Sequence, residues 1–128
     1  NLFMKKLLGI LVLGLLLESN AYAEWKKLST YKDVTLYVAV DTIIKKNGYL
    51  YFWDMHDNDV LDEFGIMSSQ TYYQADCSLL RVKTLSYIFY KGSMGRDLIE
   101  QQESVVKDWK YPAPNTFMRT VVKFACNY

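Results

Sequence analysis

The chain has 128 residues, 51% hydrophobic and 16% aromatic, with two cysteines and a formal net charge of +1. Near-balanced charge excludes the strong basic field of a nucleic-acid binder or of a polybasic membrane-surface protein. The length suits one domain.

In chain order, Met4 is followed by Lys5 and Lys6, the apolar run Leu7–Leu17, and the small-x-small triplet Ala21-Tyr22-Ala23. That pattern predicts a secretory signal peptide over residues 1–23, cleaved after Ala23, with Asn1, Leu2 and Phe3 as translated upstream sequence. The apolar run is shorter than the roughly 20 residues a spanning helix needs. Its brevity looks bacterial, so the expected address is the periplasm or the cell surface. No cysteine follows the run, so a lipid anchor is not expected. Residues 24–128 are then the single mature domain. Without Lys5, Lys6 and Glu18 it keeps thirteen basic and thirteen acidic residues.

The mature chain reads mostly as strand. Asp33–Val40 is β-branched and aromatic, and Asn47-Gly48 is a hairpin turn signal. Tyr49–Met55 is nearly continuously apolar and of strand length, which predicts a central strand covered on both faces, with Trp53 in the core. His56–Gly65 reads as an acidic loop closed by glycine. Ser68–Leu80 alternates, placing Tyr73, Ala75, Cys77 and Leu79 on one face. Arg81–Lys91 is a further strand and Gly92–Gly95 a turn. Arg96–Val105 has helical propensity in a meander context, and strand is the preferred reading. Trp109–Asn115 contains Pro112 and Pro114 and predicts an extended connector, with Trp109 and Tyr111 packed over the start of a helix. Asn115 is the expected N-cap. Beyond it, Thr116, Arg119, Thr120 and Lys123 share a polar face, while Phe117, Val121, Phe124 and Ala125 line an apolar one. The helix spans about three turns.

Two cysteines in an exported chain point to one disulfide between Cys77 and Cys126; two buried thiols are the alternative. Closing a loop of 49 positions would stabilise the fold by about 4 kcal/mol in the chain-entropy model.

Candidate chemistry is sparse. Asp54–Glu63 gathers acids around His56, the one histidine, but an EF-hand register from Asp57 puts Leu61, Asp62 and Ser68 where oxygen ligand, glycine and glutamate belong. No metal site is expected, and no cofactor. His56 reads as an exposed loop residue without a positioned nucleophile, so no catalytic residue is assigned. Gly92–Asp97 lacks phosphate-loop spacing. Among the aromatics, Tyr72 and Tyr87 are the candidates for a binding face, with Trp109 and Tyr111 beside them.

Several segments in order resemble the surface-adhesin protein E family of small exported bacterial proteins. They are Tyr37–Trp53, Ala75–Tyr90, Asp108–Thr116 and the ending Phe124–Cys126, and they cover nearly the whole mature domain. The resemblance implies an α+β fold: an antiparallel meander of five to six strands packed on a C-terminal helix, tied by Cys77–Cys126. It also implies an exported protein, in a family whose named member binds host matrix and serum proteins. The expected function is a non-enzymatic exported domain binding an extracellular or envelope protein, not spanning the membrane and possible as a homodimer. The alternatives are a periplasmic small-ligand binder or an enzyme inhibitor using the concave side of the sheet. An enzyme is a third, disfavoured reading.

Overall fold

A computed structural model describes residues 23–105 and 107–128. The predicted leader, apart from Ala23, lies outside the described residues. The elements are β1 (Trp25–Tyr31), β2 (Val34–Ala39), a 3₁₀ turn (Val40–Thr42), β3 (Ile44–Lys46), β4 (Tyr49–Asn58), β5 (Ser68–Asp76), β6 (Arg81–Tyr90), β7 (Leu98–Glu103) and the helix α1 (Phe117–Asn127). All seven strands join one antiparallel sheet in the order β1-β2-β4-β5-β6-β7, with β3 beside β4 in line with β2.

The hairpin between β3 and β4 turns on Asn47 and Gly48, both at positive φ (53° and 81°), the two-residue arrangement that matches strand twist. Register then decides which side chains share a face. Val38, Asp54, Thr71 and Tyr87 lie in one cross-strand row, and Leu36, Phe52 and Tyr73 belong to the same side. The helix packs over β2 and β4 on that side. Leu36, Val38, Phe52, Tyr73, Ala75 and Val82 form the core with Val121, Val122 and Ala125 of α1. Each such aliphatic side chain contributes about 1.5–3 kcal/mol on burial.

The helix begins at Thr116 and not Asn115. The Thr116 hydroxyl accepts the Arg119 amide proton at 3.2 Å and donates to the Ala113 carbonyl at 2.7 Å. Asn115, at φ 63°, serves the turn before the cap. At the other end Cys126 is bonded to Cys77, with Cα atoms 5.6 Å apart. Cys77 is not on the face of β5, which stops at Asp76; it stands in the following turn, and Leu79 there is exposed. The Asp76 carboxylate builds that turn by accepting from the Ser78 hydroxyl (2.7 Å), the Ser78 amide (3.2 Å) and Arg81 Nε (2.9 Å). These bonds hold its carboxyl below the usual carboxylate range.

Other expectations change in detail. The sheet has seven strands because β1 and the short β3 add to the meander. Arg96–Val105 does supply a strand, β7, and all its residues are exposed. β4 runs on through His56 to Asn58, so His56 is a strand residue and not part of an exposed loop.

Candidate functional site

Two places on the sheet gather chemically distinctive side chains. The first is the face turned away from α1. Tyr49, Tyr51 and Trp53 project there from β4, Tyr72 and Gln74 from β5, Ile44 and Lys46 from β3, and Arg81 and Lys83 from β6. Trp53 is therefore not a core residue. It is half-buried and stacked on Tyr72, its register partner, with ring centroids 4.9 Å apart and planes 26° apart. Tyr72 also meets Tyr51 at 6.2 Å, and Gln74 donates to the Tyr51 hydroxyl at 3.1 Å. Burial, aided by Tyr51, raises the Tyr72 pKa. The strand β4 is covered by the helix on one side only; on the other, its rings shield one another.

Trp109 belongs to this open face and not to the helix start. The Lys110 amide and carbonyl bridge to Val82, which brings the connector back across β6. The indole then lies 5.4 Å from the Tyr49 ring, beneath the Arg81 guanidinium at 4.3 Å and Lys83 Nζ at 4.7 Å. Tyr111 is exposed, and its approach helps raise the Arg81 pKa after the larger effect of Asp76. Tyr87 stands on the opposite, helix-side face, stacked on Phe89. The structure thus groups Tyr72 and Trp109 on one face and separates Tyr87 from them. Ile44, Lys46, Tyr49, Tyr51 and Lys83 were not picked out by sequence. Every residue of Tyr49–Trp53 is apolar, so alternation could not show which of them the helix leaves uncovered.

At one end of this face, Gly92–Gly95 closes over β4 and β5. Ser93 donates to both Asp57 oxygens at 3.0 Å and the Met94 amide donates at 2.8 Å, so Asp57 is used to hold the loop. Gly95 is at φ 74°, and a Cβ there would sit 2.7 Å from Gln70 Nε2, so the Gln70 side chain would have to move to admit one. In the loop after β4, Asp62 accepts from the Phe64 and Ile66 amides. Among the described residues no three His, Cys, Asp or Glu side chains gather as metal ligands.

The second place is under α1. Asp54 is 1% exposed, and neither carboxyl oxygen has a partner with hydrogen-bond geometry. Burial pushes its pKa up to about 7; the looser approaches of Tyr73 and Thr71 offset only part of that cost. His56 covers it, with Nε2 3.8 Å from Oδ2, and Phe117 of the helix meets the imidazole edge-on at 5.2 Å. Burial also lowers the His56 pKa, so neither group favours its charged form.

Hollows on the surface are shallow. One of about 250 Å³ is lined by Ile44, Lys46, Tyr51 and Tyr72 on the open face. A larger groove of about 540 Å³ runs between β1 and the start of α1, lined by Ser29, Tyr31, Thr116, Phe117 and their neighbours. Among the described residues no helix is long and apolar enough to cross a membrane.

The family model for surface-adhesin protein E matches residues 25–127. Among solved structures, crystal form II of Haemophilus influenzae protein E superposes with a TM-score of 0.55 at 12% identity, covering 84% of this chain and 97% of that one. Protein E from non-typeable Haemophilus influenzae gives 0.54 at 14% identity, covering 84% and 79%. At such identities the likeness shows the fold. A search of curated protein sequences returned no match. The match over nearly the whole described chain, with the antiparallel sheet, the C-terminal helix and the disulfide between them, places the chain in the surface-adhesin protein E family.

Proposed function

We propose that this chain is an exported, non-enzymatic domain that binds another protein at the cell surface or in the envelope, through the sheet face opposite α1. The observation that carries the reading is the contiguous set of Tyr49, Tyr51, Trp53, Tyr72 and Trp109 on a face the helix does not cover. Aromatic residues that combine area with few rotatable bonds dominate protein-binding hot spots. Membership of an adhesin family supports an extracellular partner.

Export follows from the leader pattern over residues 1–23, and one mature domain from residue 24 onward. Glu24 is already tied into the fold, its carbonyl accepting from Val40 and its amide donating to Asp41. Cleavage after Ala23 would therefore leave a new terminus at the first paired residue. Against a small-ligand binder, the hollow on the open face is below the roughly 300–1,000 Å³ of typical ligand pockets. The groove beside α1 reaches that size, but Ser, Thr and Asn make up most of its lining.

The test is capture of extracellular-matrix and envelope proteins by the immobilised, disulfide-intact protein, alongside a Tyr51→Ser/Tyr72→Ser variant of matched circular dichroism. Capture should fall at least tenfold in the variant. Equal capture by both proteins, or none above a heat-denatured control, would overturn the proposal.

A further inference from the structure

We infer that the open face recognises an extended acidic segment of its protein partner, with two carboxylates about four residues apart and an apolar side chain between them. The inference rests on the reading of that face as the binding surface and adds the chemistry of what it takes.

The charges on the face are lopsided. Register places Lys27, Lys46, Arg81 and Lys83 there. The acids on the same side are largely committed. Asp57 is held by the Ser93 hydroxyl and the Met94 amide, and Asp76 by Arg81 and its own turn. Glu103 remains, at the far edge on β7. Among the described residues Lys27, Lys46 and Lys83 form no ion pair. Cations without acidic neighbours, set around apolar rings, complement an anionic partner.

Spacing makes the inference specific. Ile44, Tyr51, Gln74 and Lys83 form one cross-strand row, and Lys46 and Tyr49 stand in the adjacent row. Lys46 and Lys83 are therefore three strand steps and one row apart, roughly 16 Å between backbone positions at the usual spacing, and their long side chains can lean in to a shorter span. An extended segment laid across the strands advances about 3.3 Å per residue, so side chains four residues apart lie roughly 13 Å apart on one face. The hollow of about 250 Å³ between Ile44, Lys46, Tyr51 and Tyr72 opens beside the Lys46 end of that path. That hollow suits one aliphatic side chain. At the Lys83 end, the cation already sits over the Trp109 ring, beside an Arg81 that is paired to Asp76, so Lys83 is the positive group left for an arriving carboxylate.

The probe is a short capped peptide, Glu-Ser-Leu-Ser-Glu between Gly-Ser flanks, titrated into the disulfide-intact protein and followed by amide chemical shifts. Companions carry Lys or Gln for both Glu, or Ser for Leu. The acidic peptide should move the resonances of Lys46, Tyr51, Tyr72 and Lys83 saturably. Binding should weaken at least tenfold in a Lys46→Glu/Lys83→Glu variant, and at about 0.5 M salt, where the Debye length shrinks to roughly 4 Å. The Lys peptide should bind at least tenfold more weakly than the Glu peptide. Equal binding of the acidic, basic and neutral peptides, or no shifts on this face at millimolar acidic peptide, would overturn the inference. Protein capture that is lost in Tyr51→Ser/Tyr72→Ser but indifferent to Lys46→Glu/Lys83→Glu would sink the acidic segment and leave the face as the binding surface. Capture indifferent to both variants would sink both readings.

Discussion

Replacing Asp54 by asparagine should make the protein more resistant to urea as pH rises, relative to the natural chain. Asn keeps the volume and removes the charge from a site 1% exposed. The carboxyl pKa moves from 3.8 to about 7 on folding. A raised folded-state pKa gives a stability contribution that is complete below the unfolded value and is lost as pH climbs towards the folded one. Between pH 4.5 and 7.5 the linkage amounts to about 3 kcal/mol, because each unit is worth about 1.4 kcal/mol across most of that window. For a domain with a total of about 5–15 kcal/mol, that is a large fraction. His56 works in the opposite sense. Its folded pKa is lowered, so its contribution is complete above 6.5 and is lost as pH falls through the lowered value. The natural chain alone therefore shows a blunted pH profile. Subtracting its urea-derived stability from that of Asp54→Asn removes the intrinsic His56 contribution, and a His56→Gln background removes the coupling between two groups 3.8 Å apart. The difference should grow by about 3 kcal/mol across the window, and by a similar amount in a His56→Gln background. Parallel curves, differing by a constant, would refute the argument that an uncompensated carboxyl lies buried beside His56.

Two other outcomes test the architecture. Cys77→Ser/Cys126→Ser should cost about 3–4 kcal/mol, read from urea midpoints, because the bridge closes a loop of 49 positions. Peptide mapping of the natural chain should recover those two cysteines linked. Gly95→Ala should cost about 1 kcal/mol from its positive φ, with the displacement of Gln70 visible as a shift of the Gln70 and Tyr90 resonances. A substitution that leaves both resonances in place would mean the loop does not rest on Gln70.

Most of the meander was legible because its signals are local. β5 and β6 alternate over long runs, Asn47-Gly48 has the residues a tight hairpin needs, and the two prolines stop the ladder before the helix. β1 was missed because only Trp25, Leu28 and Tyr31 of its seven residues are apolar or aromatic, and its turn to β2 places Lys32, not glycine, at φ 54°. The cap was misplaced by one residue because Asn115 and Thr116 both suit the role. Only the backbone shows that Asn115 occupies the left-handed region that Asn tolerates, leaving Thr116 extended as the cap.

The candidate site was less legible, for a reason of geometry. By itself the sequence determined the leader pattern, the strand-rich meander, the amphipathic helix and the presence of two cysteines. Each is a pattern within a few neighbouring residues or a matter of composition. Tertiary structure decided which face of β4 the helix covers. That choice buried Phe52 and Asp54, left Tyr51 and Trp53 on the open side, and set Tyr87 on the opposite face from Tyr72. It also drew Trp109 back over Tyr49 and Lys83, across 26 residues of chain from Lys83. A run apolar on both of its faces carries no record of which side a distant helix will occupy, because either choice buries similar apolar area.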